Sequence, residues 1–234
     1  MTAIPPRLRV SGISVRRGGR AILDAVSFSA HPNEIVGVIG PNGAGKTTLF
    51  RAVAGLLPPD RGEVALDGVT LRDRRSALFY LPDGIAPWPE RRAGWCLETF
   101  AALFGGSPDA DAIDALQAGP LLQVRAGSLS KGEAKRVLLA LALSTPQPVL
   151  LLDEPFDGLD FRQTRRAMEL LRERSTNGRT LILSIHQLVD AARICDRFLL
   201  LDHGRAIAEG ALAELQTAAT NPQATLEEVF LALE

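Results

Sequence analysis

The sequence predicts an α/β protein with a mainly parallel sheet built around a glycine-rich loop. Three observations carry that prediction. A glycine-rich stretch, Gly40-Pro41-Asn42-Gly43-Ala44-Gly45-Lys46-Thr47-Thr48, follows the apolar run Ile35–Ile39 and precedes a helix-forming run. A second apolar run, Val149–Leu152, ends in two carboxylates, Asp153 and Glu154. A third, Thr180–Ile185, ends at His186.

Taken along the chain, Leu8–Val15 and Ile22–Phe28 alternate apolar and polar residues about Arg16-Arg17-Gly18-Gly19-Arg20, which favours an antiparallel hairpin. Ile35–Ile39 reads as a buried strand feeding the loop. The loop fits G-x-x-x-x-G-K-[ST]. Gly40, Gly43 and Gly45 let the backbone turn sharply and approach phosphate oxygens, and successive N–H groups can form an anion nest. The run Thr47–Ala54 reads as a helix whose positive end faces the phosphates. Lys46 is placed to reach the β- and γ-phosphates and the Thr47 hydroxyl to ligate Mg²⁺. The commonplace alternative is a glycine-rich turn before an ordinary helix, and the strand–loop–helix context favours the phosphate loop over it.

Gly62–Gly68 and Ala77–Leu81 read as two further strands. From about Asp83 to Leu129 strand-like runs disappear. Trp95, Thr99, Ala102 and Leu103, with Cys96, Phe100 and Phe104, form helical stripes, for which core packing is the plainer reading. The other reading is a groove lined by Ile85, Trp88 and neighbours for a membrane partner's helix. Gly105-Gly106-Ser107-Pro108 breaks the first helix, and Asp109–Ala118 fits a second. Four apolar residues in a row at Val149–Leu152 suggest a strand buried on both faces. Its two carboxylates lie where open α/β sheets bind ligands. Asp153 is expected to hold Mg²⁺ and Glu154 to polarise the attacking water, with His186 a candidate sensor of the γ-phosphate. At the C-terminus, Thr225 and Glu228 have the spacing of a capping box, and Leu226, Val229, Phe230 and Leu233 form one apolar helix face.

Composition narrows the class. The 234 residues, 46% of them hydrophobic, allow one α/β domain with a real core. The longest apolar run, Val137–Leu143, falls well short of the roughly 18–20 residues of a membrane helix. The segment Met1–Arg7 lacks the apolar stretch of a secretory signal, so a cytosolic location is expected. Cys96 and Cys195 have no metal-ligand spacing and read as buried thiols. A net charge of −1 offers nucleic acid no long-range attraction. The basic clusters Arg72–Arg75 and Arg165-Arg166 read as solvated faces.

These motifs together resemble the ATP-binding-cassette (ABC) family. Leu129-Ser130-Lys131-Gly132-Glu133, followed by Ala134-Lys135-Arg136-Val137, is similar to the family's signature motif. Phe156-Asp157-Gly158-Leu159-Asp160 resembles its D-loop, His186 its switch histidine, and Cys195–Arg205 the hairpin that follows. The ending Thr225–Leu231 is similar to bacterial exporter-type ATPase subunits. The resemblance covers nearly the whole chain. It implies one ABC ATPase domain over residues 1–234, with 1–82 and 130–234 forming the nucleotide-binding core and its antiparallel β subdomain, and about 83–129 a small helical subdomain. It also implies ATP and Mg²⁺ as cofactors. Ser130 and Gly132 would cover the γ-phosphate of a second cassette, so the chain would work as a homodimer or paired with a similar subunit. A membrane-spanning transporter subunit would be its partner, with the chain peripheral on the cytoplasmic face. A soluble ABC ATPase of translation or DNA maintenance, and a weakly hydrolysing regulatory subunit, are the competing readings.

Three positions depart from the family pattern. Where the family has a Gln that reaches Mg²⁺ and the attacking water, the chain has Asp83, and no Gln occurs between Leu71 and Leu116. Asp83 is then expected beside Mg²⁺, protonated, or swung away, because a carboxylate about 6 Å from a phosphate charge costs about 3 kcal/mol at an effective dielectric near 20. The position of the aromatic that stacks on adenine falls at Arg17, or at Arg16, whose guanidinium can also stack. Lys131 replaces a Gly, and any left-handed backbone there would cost about 1–2 kcal/mol.

Overall fold

The computed structural model describes residues 5–71, 75–86 and 88–234. The cluster Arg72–Arg75, apart from the backbone of Arg75, and the first four residues of the N-terminal segment lie outside them. Two sheets form the frame. Strands β1 (Leu8–Arg17), β2 (Arg20–Ala30), β4 (Arg61–Leu66) and β5 (Val69–Thr70) make an antiparallel sheet in the order β2-β1-β4-β5. The expected hairpin is β1–β2, turning at Gly18-Gly19. The larger sheet joins β3 (Ile35–Ile39), β6 (Leu78–Leu81), β7 (Val149–Asp153), β8 (Thr180–Ser184), β9 (Arg197–Asp202) and β10 (Arg205–Gly210) in the order β10-β9-β3-β8-β7-β6. All its pairings are parallel except β10 on β9.

The continuous apolar runs follow from this topology. Val149 and Leu151 of β7 enter one core, shared with α1 (Lys46–Val53) and the antiparallel sheet. Leu150 and Leu152 enter another, shared with α2 (Ala93–Leu103), α4 (Lys131–Leu143), α5 (Phe161–Thr176), α6 (Leu188–Ile194) and α8 (Leu226–Leu233). A strand covered on both faces has no place for the polar residue of an alternating pattern. The run Val137–Leu143 is fully buried in α4, and α8 carries the Thr225–Glu228 capping box. A last helix, α7 (Leu212–Ala218), links β10 to α8. Among the described residues no helix is long and apolar enough to cross a membrane. Cys96 and Cys195 are both buried and are not joined in a disulfide.

Several boundaries differ from expectation for local reasons. The second helix of the 83–129 segment, α3, spans only Ala110–Ala115. Asp109 caps it by accepting from Ala112 N, and Gln117 adopts a left-handed φ of 51°, which stops it before Ala118. A 3₁₀ turn follows at Gly119–Gln123. In α2 the buried line is Ala93, Cys96, Leu97 and Ala101, so Trp95 and Leu103 face outward, 40% and 68% exposed, rather than packing in the core. Strand β8 ends at Ser184, and Ile185 and His186 lie in the bend beyond it. Lys131 is the first residue of α4 and has no left-handed backbone, so the strain expected there does not arise. Arg165 and Arg166 are solvated on α5, where Arg165 pairs with Glu169.

Candidate active site

The loop between β3 and α1 opens on a cleft of about 360 Å³ lined by Ile22, Pro41, Asn42, Gly43, Gly45, Lys46, Thr47, Thr48, Asp83, Asp153, Glu154 and His186. Gly45 caps α1 with φ 106°, a conformation that excludes other residues without strain. No side chain caps α1 and no acid lies in its first turn, so its N–H groups are left for an external anion. Lys46 Nζ lies over the loop, donating to Gly40 O (2.6 Å) and Pro41 O (3.1 Å). Two loop residues read as nucleotide-binding also fit the loop tightly to its neighbours. A Cβ on Gly40 would meet Leu201 O at 2.0 Å, and Ala44 is buried and accepts from Gly204 N (3.0 Å).

Strand β8 lies between β3 and β7, and its last residue pairs with Val38 on one side and Asp153 on the other. Topology thus brings the loop and the carboxylates to one sheet edge. Thr47 Oγ1 donates to Asp153 Oδ2 (3.1 Å), which also accepts from Tyr80 OH (3.3 Å). Ser184 Oγ donates to Asp153 Oδ1 and accepts from Glu154 N (2.9 Å). Tyr80 and Ser184 were not singled out from the sequence. Their signal is positional: each is a hydroxyl within two residues of the C-terminal end of a strand adjoining β7.

Glu154 sits where β7 ends, with a left-handed φ of 50°. For a residue with a Cβ that conformation costs about 1–2 kcal/mol, and such outliers cluster at active sites. His186 Nε2 lies 3.0 Å from Glu154 Oε1. Asp83 lines the cleft, but its Oδ1 is bonded to Lys135 Nζ (2.9 Å) rather than to Thr47 or Asp153. The same ammonium donates to Glu154 O (2.7 Å). Lys135, missed in the sequence, is only 5% exposed.

Ser130 caps α4 through a reciprocal box with Glu133. Ser130 and Gly132 do not line the cleft of their own chain. Gly132 packs on the D-loop, where a Cβ would meet Gly158 O at 2.4 Å, and Lys131 pairs with Asp157. Arg17 is exposed at the hairpin end and does not line the cleft, whose only residue from the antiparallel sheet is Ile22.

Burial pushes the Glu154 carboxyl up to about 7, against the pull of Lys46 and with the help of Asp153. Burial also lowers Lys46, opposed by Glu154 and Asp153, and lowers His186, with Lys46 adding to the effect. An acid raised above its ordinary 4.5 contributes stability at low pH that is lost as pH rises through the folded value. Glu154→Gln should therefore stabilise the nucleotide-free, metal-free protein by on the order of 2 kcal/mol at pH 8, and by less than half of that at pH 5. Urea denaturation at the two pH values checks this, and an equal gain at both would contradict it.

An uncapped helix N-terminus behind a glycine-rich loop, two oxygen donors suited to a hard cation in Thr47 and Asp153, and a buried carboxylate just beyond are the layout of a P-loop nucleoside triphosphatase. A family model described as ABC transporter matches residues 23–157. The Nod factor export ATP-binding protein I of Rhizobium etli is 34% identical over 222 residues, covering 90% of this chain and 68% of that protein. The hemin import ATP-binding protein HmuV of Pseudomonas aeruginosa is 36% identical, covering 85% and 84%. A solved ATP-binding subunit of an ABC transporter superposes with a TM-score of 0.91 at 29% identity, covering 97% and 98%. The chain belongs to the ABC transporter family, and it is an ATP-binding, ATP-hydrolysing cassette of that family.

Proposed function

We propose that this chain works as one of two paired cassettes on the cytoplasmic face of a membrane, driving a membrane-spanning partner by ATP-dependent closure. The observation that carries this is the separation of functions in one chain. The phosphate loop and Glu154 line one cleft, while Ser130 and Gly132 lie on another surface, at the start of α4. A site with both halves needs a second copy or a similar subunit. Mg²⁺ suits the donors present, since Thr47 and Asp153 offer hard oxygens 3.1 Å apart and Mg²⁺ is commonly held by one or two side chains plus substrate phosphates. Held by Thr47 and Asp153, it would neutralise negative charge on the triphosphate. Lys46 neutralises the phosphates, Glu154 orients the attacking water, and His186 holds Glu154 Oε1. Ile22 offers the nucleotide base an apolar wall, with Arg17 free at the hairpin end to stack on it. One relative is named for export and another for import, at similar identity to this chain.

The partner's contact is expected on the outward face of the 83–129 segment. Trp88 and Trp95 are 43% and 40% exposed, with ring centroids 5.2 Å apart. Phe100 lies 5.0 Å from Trp88, Arg91 stacks 5.0 Å above Trp95, and Ile85 is half-buried nearby in sequence. Aromatic residues and Arg are enriched where interfaces form. The double variant Trp88→Ala/Trp95→Ala should keep the ATPase rate of the isolated chain within about twofold and lose recovery with detergent-solubilised membranes, as expected for two hot-spot residues. Undiminished recovery would remove this face from the contact.

A further inference from the structure

We propose that Lys135 is a positioning residue of the hydrolytic site: its ammonium holds the main chain of Glu154 in place and cancels the charge of Asp83 beside the phosphate cleft. The inference rests on Glu154 being the carboxylate that orients water.

Lys135 lies in the second turn of α4, flanked by the buried run that starts at Val137. A buried ammonium has to be paired, and this one has two partners. Neither is incidental to the reaction. One is Asp83 Oδ1 at 2.9 Å, from the loop after β6. The other is Glu154 O at 2.7 Å, the carbonyl of the residue with φ 50°. A left-handed turn at a residue with a Cβ persists only where its surroundings hold it. Ser184 Oγ takes the Glu154 N–H and Lys135 takes the Glu154 C=O, so both main-chain groups of that residue are pinned by buried side chains. Loss of Lys135 would leave the carbonyl only the Asp157 N–H at 3.2 Å, a weaker hold on the turn.

The second role answers the difficulty that Asp83 raises. With Asp153 and Glu154 it is the third carboxylate lining the cleft into which a triphosphate must enter. Bonded to Lys135 it forms a neutral pair, and its repulsion of phosphate is largely cancelled. The two roles separate experimentally. Asp83 and Glu154 are reached by the same ammonium, but only Asp83 carries its negative charge on the bonded group.

The test compares Lys135→Met, Asp83→Asn and the double variant with wild type, using kcat and KM for ATP hydrolysis and the Kd of trinitrophenyl-ATP measured in EDTA. Lys135→Met should lower kcat about 10²-fold, the scale of a small misplacement of a reacting group. It should also weaken metal-free binding roughly tenfold, because the Asp83 charge is then unpaired. In the double variant binding should return to within about threefold of wild type while kcat stays low, since the Glu154 carbonyl still lacks the ammonium and keeps only the longer bond from Asp157 N (3.2 Å). Asp83→Asn alone should tighten metal-free binding several-fold. A purely structural lysine would lower stability without this split between binding and turnover. A kcat within about threefold of wild type for Lys135→Met would overturn the positioning role, against the 10²-fold expected. Unchanged binding in Asp83→Asn would overturn the charge role. Should Lys135→Met fail to fold, Lys135→Gln, too short to reach both acceptors, takes its place with the same reading. Glu154→Gln is run alongside: if it hydrolyses ATP normally, the water-orienting reading itself fails, whereas a dead Glu154→Gln beside normal Lys135 variants sinks only this inference.

Discussion

Glu154→Gln protein should bind ATP much as wild type does and hydrolyse it about 10²–10⁴-fold more slowly, the range for loss of a general base. The side chain is nearly buried, pinned at its main chain, and held at Oε1 by His186 3.0 Å away. Glutamine keeps the shape and one acceptor oxygen but cannot take a proton from water. Binding should survive because the loop, Lys46 and Thr47 are untouched, and because loss of the buried acid relieves an anion disfavoured by burial. Turnover measured at saturating ATP, with affinity from a fluorescent analogue, separates the two effects. Turnover equal to wild type would remove Glu154 from the reaction.

Much of this site can be read directly from residue types. The loop Gly40–Thr48 announces itself because phosphate chemistry restricts nearly every position, and Asp153-Glu154 because two acids ending an apolar strand are costly anywhere else. Strand positions were legible for the same reason: a run such as Val149–Leu152 has few other homes than a sheet covered on both sides. What stayed hidden depends on contacts between segments far apart in sequence. Lys135 looks like one more basic residue after the signature, and only the fold brings it to Asp83 and Glu154. Ser184 and Tyr80 act through strand neighbours that the sequence does not order. The exposed Trp95 was misread for a related reason. Helical spacing shows which residues share a stripe, but not which stripe meets the core, and here small residues, Ala93 and Ala101, line the buried side. Gly40 and Ala44 belong to the motif and also fit the loop to β9 and its turn, a packing constraint that the pattern alone does not display.

Ser130→Arg should abolish ATP-driven dimerisation while leaving the monomer able to bind ATP. Ser130 is exposed at the first turn of α4, where the helix N-terminus favours an anion, yet it stands outside the cleft that holds its own phosphate loop. On the proposed paired arrangement, the phosphate it serves comes from another chain. Arginine there removes the hydroxyl and fills the approach with a long side chain. Loss of the cap itself costs about 1 kcal/mol, so melting of the monomer separates a local defect from an unfolded protein. In a Glu154→Gln background, where ATP is held unhydrolysed, size exclusion with ATP should give a dimer, and adding Ser130→Arg should return a monomer. Complementation makes the trans arrangement testable without relying on shape. Ser130→Arg and Lys46→Ala should each be inactive alone. In a mixed dimer, the loop of the Ser130→Arg chain faces the intact Ser130 of the Lys46→Ala chain, so one site of the pair is whole and the other is doubly broken. Mixing the two should therefore restore ATP hydrolysis. A mixture no more active than its separate components would mean that Ser130 serves the phosphate loop of its own chain.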